Sequence, residues 1–150
     1  MKSEGRKVGS FRFDIEAAEE ELKEIHAQKV MLQLPEGLKL KAEEFMDLFE
    51  EDMMIWGGSC YGACDLPEDI GQADALLHIG HSEIPNLKTD YPIVYLEGRS
   101  TRWEKLPEDL YEQIEGKVAL YGPVQHLHHL EKAAEELEER GIEPVIGEGD

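Results

Sequence analysis

Two cysteines, the only ones in the chain, stand four positions apart in Cys60-Tyr61-Gly62-Ala63-Cys64, just after Gly57-Gly58 and the apolar run Met53-Met54-Ile55-Trp56. Thiolates are soft metal ligands and strong nucleophiles, so the pair points to metal or iron-sulfur ligation. Asp65 reads as the opening of a short helix, Asp65 to Ile70, whose N-terminal dipole would favour the ionised form of Cys64. In a reducing cytoplasm, cysteines so spaced are more often free thiols or ligands than a structural disulfide, with a regulatory disulfide as the alternative.

Histidines and carboxylates widen the set. Cys60-x-x-x-Cys64 with His78-x-x-His81 offers the ligand types of tetrahedral zinc, at a spacing unlike that of a common finger or ribbon. His78 lies inside an apolar run and reads as a hydrogen-bonded core residue, while His81, just past the run, is the better candidate for function. Glu36 is either a first-turn acid favoured by the helix dipole or a catalytic base. His126, His128 and His129 cannot all face one ion, because neighbouring residues on a helix diverge; His126, beside Gln125 at the helix start, is the one placed to reach a ligand.

These residues need elements to hold them. Ile15, Ala18, Leu22 and Ile25 recur at helical spacing behind Asp14 as N-cap. Lys29 to Leu34 is an apolar run closed by Pro35, hence a buried strand, and Leu38, Ala42, Phe45 and Phe49 follow at helical spacing. Met53 to Trp56, Ala75 to Ile79 and Ile93 to Leu96 are three more strands. Alternation of strand and helix predicts the α/β class: a parallel sheet flanked by helices, with right-handed crossovers. Loops after parallel strands share one edge of the sheet, so Gln33 to Gly37, Gly58 to Cys64 and Gly80 to Pro85 should gather there.

A second pattern starts later. Pro107 to Ile114 reads as a connecting helix, Lys117 to Tyr121 as a strand, and His126 to Arg140 as a helix with Leu127, Leu130, Ala134 and Leu137 on one face. Gly141 stops it and Pro144 to Gly147 begins another strand. Residues 1–115 are therefore expected to form one α/β domain, and 116–150 the start of a second, cut short at Asp150.

Composition narrows the partners. Against 15 Lys and Arg there are 34 Asp and Glu, a formal charge of -19. Such a surface repels phosphate backbones and anionic lipid, which argues against nucleic acid and membrane. No stretch approaches the roughly 20 apolar residues of a membrane span, and Met1 to Lys7 lacks an apolar signal core, so a cytoplasmic location is expected.

Leu32-Gln33-Leu34-Pro35-Glu36-Gly37-Leu38, Tyr61-Gly62-Ala63-Cys64-Asp65-Leu66, and Ala73-Asp74 leading to His78-Ile79-Gly80-His81-Ser82 together resemble the archaeal diphthamide synthase family. Gln125-His126 and Val145 to Asp150 are similar to the opening of that family's second domain. The resemblance implies a 2-(3-amino-3-carboxypropyl)histidine synthase. Such an enzyme has three similar α/β domains, each giving one cysteine to a 4Fe-4S cluster, and is usually a homodimer. The cluster would bind S-adenosylmethionine and, once reduced, release a 3-amino-3-carboxypropyl radical that adds to a histidine of translation elongation factor 2. This is radical chemistry without the CxxxCxxC motif of ordinary radical enzymes.

By the same resemblance Cys64 is the cluster ligand, while Gln33, Glu36, Tyr61, Gly62, His81 and Ser82 line the cofactor cavity. Cys60 falls where the family pattern does not require cysteine, and is expected to be a bystander or spare thiol. The other two cluster cysteines are expected beyond Asp150, so the chain by itself is expected to be inactive. Quinolinate synthase, another iron-sulfur protein with one cysteine per domain, is a second enzyme reading, opposed by the Tyr61 to Cys64 and His78 to His81 motifs. A non-catalytic alternative is a short paralogue that binds zinc or a partner through Cys60, Cys64 and His81.

Overall fold

Asp14 divides a hairpin from a helix. Strands β1 (Arg6–Val8) and β2 (Phe11–Phe13) pair antiparallel around Gly9, whose φ of +60° suits the tight turn. The Asp14 carboxylate then accepts from the Ala17 N–H at 3.3 Å and caps α1 (Ile15–Glu24). Ile15, Ala18 and Leu22 of α1 are buried, as their spacing predicts, whereas Ile25, expected on the same face, is the C-cap and 42% exposed. The hairpin was not legible beforehand, since three-residue strands are too short to show alternation. The computed structural model describes residues 5–147, so the expectations placed on Met1 to Glu4 and on Glu148 to Asp150 lie outside the described residues.

The central sheet is parallel, as expected. It contains β3 (Lys29–Gln33), β4 (Asp52–Ile55), β5 (Ala75–Ile79) and β6 (Ile93–Leu96), in the order β4-β3-β5-β6. Every residue of β5 is buried, the mark of a strand covered on both faces. With Val30, Leu32, Leu34, Leu22, Phe13 and Phe45 it forms a core of fully buried side chains, each large one contributing about 1.5–3 kcal/mol. Asp74, just before β5, accepts from the N–H groups of Gln28 and Lys29 at 2.9 and 2.8 Å, tying the starts of β5 and β3 together. Those two bonds hold the Asp74 carboxyl below the usual carboxylate range.

The crossovers depart from the expected alternation. Only the β3–β4 passage is helical, and it is a 3-10 segment, Glu36–Lys41, running into the short α2 (Ala42–Met46). From β4 to β5 and from β5 to β6 the chain runs in loops. The helix expected from Asp65 to Ile70 does not form. Asp65 turns its carboxylate back onto the N–H groups of Tyr61 and Gly62, at 2.7 and 3.1 Å, rather than forward as a cap. Pro67 also disfavours the helical conformation of Leu66 before it.

Beyond β6 comes β7 (Gly98–Ser100). The chain divides into two units, Met1–Gly98 and Arg99–Asp150, so the segment from Arg99 to Glu115 goes with the second unit rather than with residues 1–98. That second unit holds α3 (Glu108–Tyr111), β8 (Lys117–Leu120), a 3-10 segment Val124–His129, α4 (Leu130–Glu139) and β9 (Glu143–Ile146). β8 and β9 pair in parallel with α4 between them in sequence, a βαβ unit. Gly141, at φ +77°, ends α4. The buried stripe of the helix is Ala133 and Leu137, not one including Leu127, which is 44% exposed. The 3-10 winding before Leu130 shifts the phase of the side chains relative to a continuous α-helix.

No helix among the described residues is long and apolar enough to cross a membrane.

Candidate functional site

The strand order reverses between β3 and β5: the chain steps from β3 outward to β4, returns to the other side of β3 as β5, and continues to β6. In an open parallel sheet the crevice above such a reversal, at the carboxyl ends of the strands, is where ligands bind. Gln33 and His78 are register partners at the ends of β3 and β5, so the reversal itself brings them side by side.

Both are fully buried, and their side chains form a directed chain. Gln33 Nε2 donates to the Asp65 carbonyl at 2.5 Å, which leaves Gln33 Oε1 facing His78 Nδ1 at 2.7 Å. An amide oxygen can only accept, so His78 carries its proton on Nδ1 and turns the lone pair of Nε2 outward. That lone pair meets His81 Nδ1 at 3.0 Å. Gly80 makes the meeting possible: at φ +93° it turns the chain at the end of β5 so that His81 folds back over His78. Burial, then the neighbouring His81 ring, push the His78 imidazole down to about 4, and burial lowers His81 as well. Both rings are neutral near pH 7.

The cysteine loop closes the site from the β4 side. Glu36 holds it in two places: its N–H donates to the Cys60 carbonyl at 3.2 Å and its Oε1 accepts from the Cys60 N–H at 3.3 Å. Lys39 Nζ bridges Glu36 Oε1 at 2.6 Å and the Gly58 carbonyl at 2.8 Å. The Lys39 bond, opposed by partial burial and helped by the Cys60 N–H, holds the Glu36 carboxyl below the usual carboxylate range. Glu36 is thus a brace for the loop, kept ionised and weakly basic.

Within the loop the two thiols have opposite environments. Cys64 is exposed and Cys60 is buried to 0% exposure, and no disulfide joins them. Burial, with the charge of Asp65 adding to it, pushes the Cys60 thiol up. Cys60, His78 and His81 offer ligand atoms that all lie within 4.8 Å of one another. The sequence offered Cys60, Cys64, His78 and His81 together as ligand types and favoured Cys64 and His81; that Cys60, His78 and His81 are the three that converge depends on which way the loop and the strand turn their side chains. Tyr61 is 79% exposed, Gly62 is half-buried, and the Ser82 hydroxyl donates to Glu97 Oε1 at 2.6 Å.

In the second unit the histidines diverge. His128 Nε2 donates to the Ser100 carbonyl at 2.7 Å, whereas His126 and His129 approach each other through their Nδ1 atoms at 3.4 Å. His126 and His129 border a recess of about 570 Å³ whose lining includes Trp103 and Tyr121.

The sequence profile of the family described as diphthamide synthesis protein matches residues 34–150. The 2-(3-amino-3-carboxypropyl)histidine synthase of Pyrococcus horikoshii is 38% identical over 141 residues, covering 87% of this chain and 41% of that protein. The synthase of the same name from Methanocaldococcus jannaschii is 30% identical over 120 residues, 65% of this chain and 35% of that one. Among solved structures, Dph2 from Pyrococcus horikoshii with a 4Fe-4S cluster superimposes with a TM-score of 0.70 at 29% identity, over 93% of this chain and 44% of that chain. The chain spans about two fifths of the length of the Pyrococcus relative.

Proposed function

The chain belongs to the diphthamide synthesis protein family, and from that premise we propose that it forms the first part of an enzyme transferring the 3-amino-3-carboxypropyl group of S-adenosylmethionine to a histidine of translation elongation factor 2. The observation that carries the reading is the exposed thiol of Cys64, held at the ligand-binding edge of a sheet similar to that of a Dph2 known with a 4Fe-4S cluster. Such clusters are held by cysteine thiolates, and an accessible thiol on a braced loop fits that role. Cys60, shut away from solvent, does not offer the same approach.

When bound, the cluster supplies the electron that cleaves the bond between the sulfonium and the methionine γ-carbon. This chain's own residues position and shield. Asp65 gathers the Tyr61 and Gly62 N–H groups and so sets the course of the loop into Cys64. Glu36 and Lys39 anchor the other end of the loop at Cys60 and Gly58. Gln33 acts through His78 and Asp65, since its amide is spent on them; Tyr61, His81 and Ser82 are nearer the surface and are the residues placed to touch the cofactor or the incoming histidine.

One exposed thiol cannot hold a cluster alone. The remaining ligands come from sequence outside residues 1–150 or from another chain, and residues 1–150 by themselves are inactive. The working enzyme is a cytoplasmic homodimer with the elongation factor as its protein substrate.

The test takes the complete reading frame, reconstituted anaerobically with iron and sulfide, reduced, and mixed with S-adenosylmethionine and the cognate elongation factor. Mass spectrometry of the factor should find one aminocarboxypropyl group on one histidine, and Cys64→Ala should abolish it. An unmodified factor in the presence of an intact cluster would sink the reading.

A further inference from the structure

Cys60, His78 and His81 make up a cluster of metal-ligand side chains, and the proposed transfer assigns none of them a bond to a metal. Their ligand atoms lie within 4.8 Å of one another, and His78 Nε2 and His81 Nδ1 are already 3.0 Å apart. Around a tetrahedral ion with metal–nitrogen bonds of about 2.0–2.1 Å and a metal–sulfur bond of about 2.3 Å, ligand atoms sit roughly 3.3–3.6 Å from each other. The three side chains therefore need only small adjustments to close on one ion.

The surroundings are those of a ligand set rather than of an apolar core. Metal-binding histidines are oriented by a partner on the nitrogen that does not bind the metal. His78 has such a partner in Gln33, which is locked in turn by the Asp65 carbonyl, and the arrangement aims Nε2 at His81 and not into the sheet. Among the described residues the hydrogen bond of the Cys60 sulfur is a long one, to the Gly62 carbonyl at 3.9 Å. Its backbone is nonetheless pinned on both sides by Glu36, so the thiol is buried in one fixed place.

We propose that Cys60, His78 and His81 bind one zinc ion, in a one-thiolate, two-imidazole site separate from the iron-sulfur ligand Cys64. A thiolate with two imidazoles suits zinc by ligand type. His78 binds through Nε2. His81 binds through Nδ1 after its proton moves to Nε2, and the Cys60 thiol proton is released to solvent. The fourth position opens beside the half-buried His81, where water completes the tetrahedron. The ion ties the loop after β4 to the end of β5, and nothing in this depends on Cys64 holding a cluster.

The experiment uses the 150-residue chain, stripped with a chelator under argon, dialysed against zinc and passed through a desalting column. One zinc per chain should remain. Cobalt(II) in its place should give a thiolate-to-cobalt charge-transfer band and the intense visible bands of a tetrahedral ion. Cys60→Ser and His81→Ala should each lose the bound zinc and the charge-transfer or tetrahedral spectrum, with far-ultraviolet circular dichroism unchanged; Cys64→Ser should keep both. Should Cys60→Ser disturb the fold, His81→Asn, at a half-exposed position, decides the matter in the same way. Zinc unaffected by the Cys60 and His81 variants, zinc lost with Cys64→Ser, or a folded wild-type chain that retains none would each overturn the proposal.

Discussion

His78 Nδ1 lies 2.7 Å from Gln33 Oε1, across the junction of β3 and β5 where the strand order reverses. Because Gln33 must give its N–H to the Asp65 carbonyl, this one contact sets the tautomer of a fully buried histidine and ties the cysteine loop to the sheet. Gln33→Leu keeps the volume nearly constant but leaves a buried imidazole N–H and a carbonyl without partners. The expected cost is about 1–3 kcal/mol, read as a lower urea midpoint at unchanged slope. An unchanged midpoint would mean that the contact does not form.

The same burial makes stability depend on pH. His78 is held neutral down to about 4, whereas in the unfolded chain it titrates near the ordinary 6.5. Between those values the unfolded state takes up a proton that the folded state refuses. Its stabilising contribution is thus complete above about pH 6.5 and is lost as pH falls toward 4, by up to ~3 kcal/mol. His81 shifts in the same direction and adds to the slope. Denaturation midpoints of metal-free wild type and His78→Gln, compared across pH 4–7, should converge on acidification. Parallel curves would show that His78 is not buried in its neutral form.

The two thiols should differ in reactivity. Cys64 is exposed and Cys60 has no exposed surface, so in chelator-treated protein one equivalent of an alkylating reagent should react at Cys64 well before any reaches Cys60. Asp65→Ala removes the acceptor of two loop N–H groups, at a cost of about 1–2 kcal/mol, and should speed modification of Cys60. Peptide mapping after timed quenching reads both rates. Equal rates in the wild type would contradict the placement of the loop.

Phe45, from α2, and Phe13, from the hairpin, meet edge to face with centroids 5.0 Å apart and an interplanar angle of 80°. Both are fully buried, so Phe45→Ala opens a cavity that rigid strands cannot refill. A loss of about 3–5 kcal/mol is expected, measurable by calorimetry or chemical denaturation. A loss below about 1 kcal/mol would mean that α2 does not pack on the hairpin as described.

Much of this protein was legible in the order of its residues. The four runs beginning at Lys29, Met53, Ala75 and Ile93 are apolar and short, and such runs bury themselves in a parallel sheet wherever helical patterns and loops separate them. Asp14 as a cap and Gly141 as a stop are local chemistry, so they were readable too. Family motifs sit at strand ends, and the edge where those ends gather follows from parallel pairing alone.

Tertiary structure decided the rest. Sequence treats Asp65 as a helix opener because a forward cap is the commoner use of an aspartate; the N–H groups that donate to its carboxylate lie behind it, at Tyr61 and Gly62, since the loop has to reach the Gln33 amide. Cys60 read as a spare thiol and His78 as a hydrogen-bonded core residue, which it is, but the sequence did not show that both lie beside His81. Strand order put Gln33 beside His78, the positive φ of Gly80 returned His81 over it, and the Glu36 brace carried Cys60 inward. The Gln33–His78 and Glu36–Cys60 contacts join residues far apart in the chain, and no local propensity encodes them. Which side chains share a site was settled only when the sheet reversed direction at β3 and β5, because that reversal determines which strand ends are neighbours.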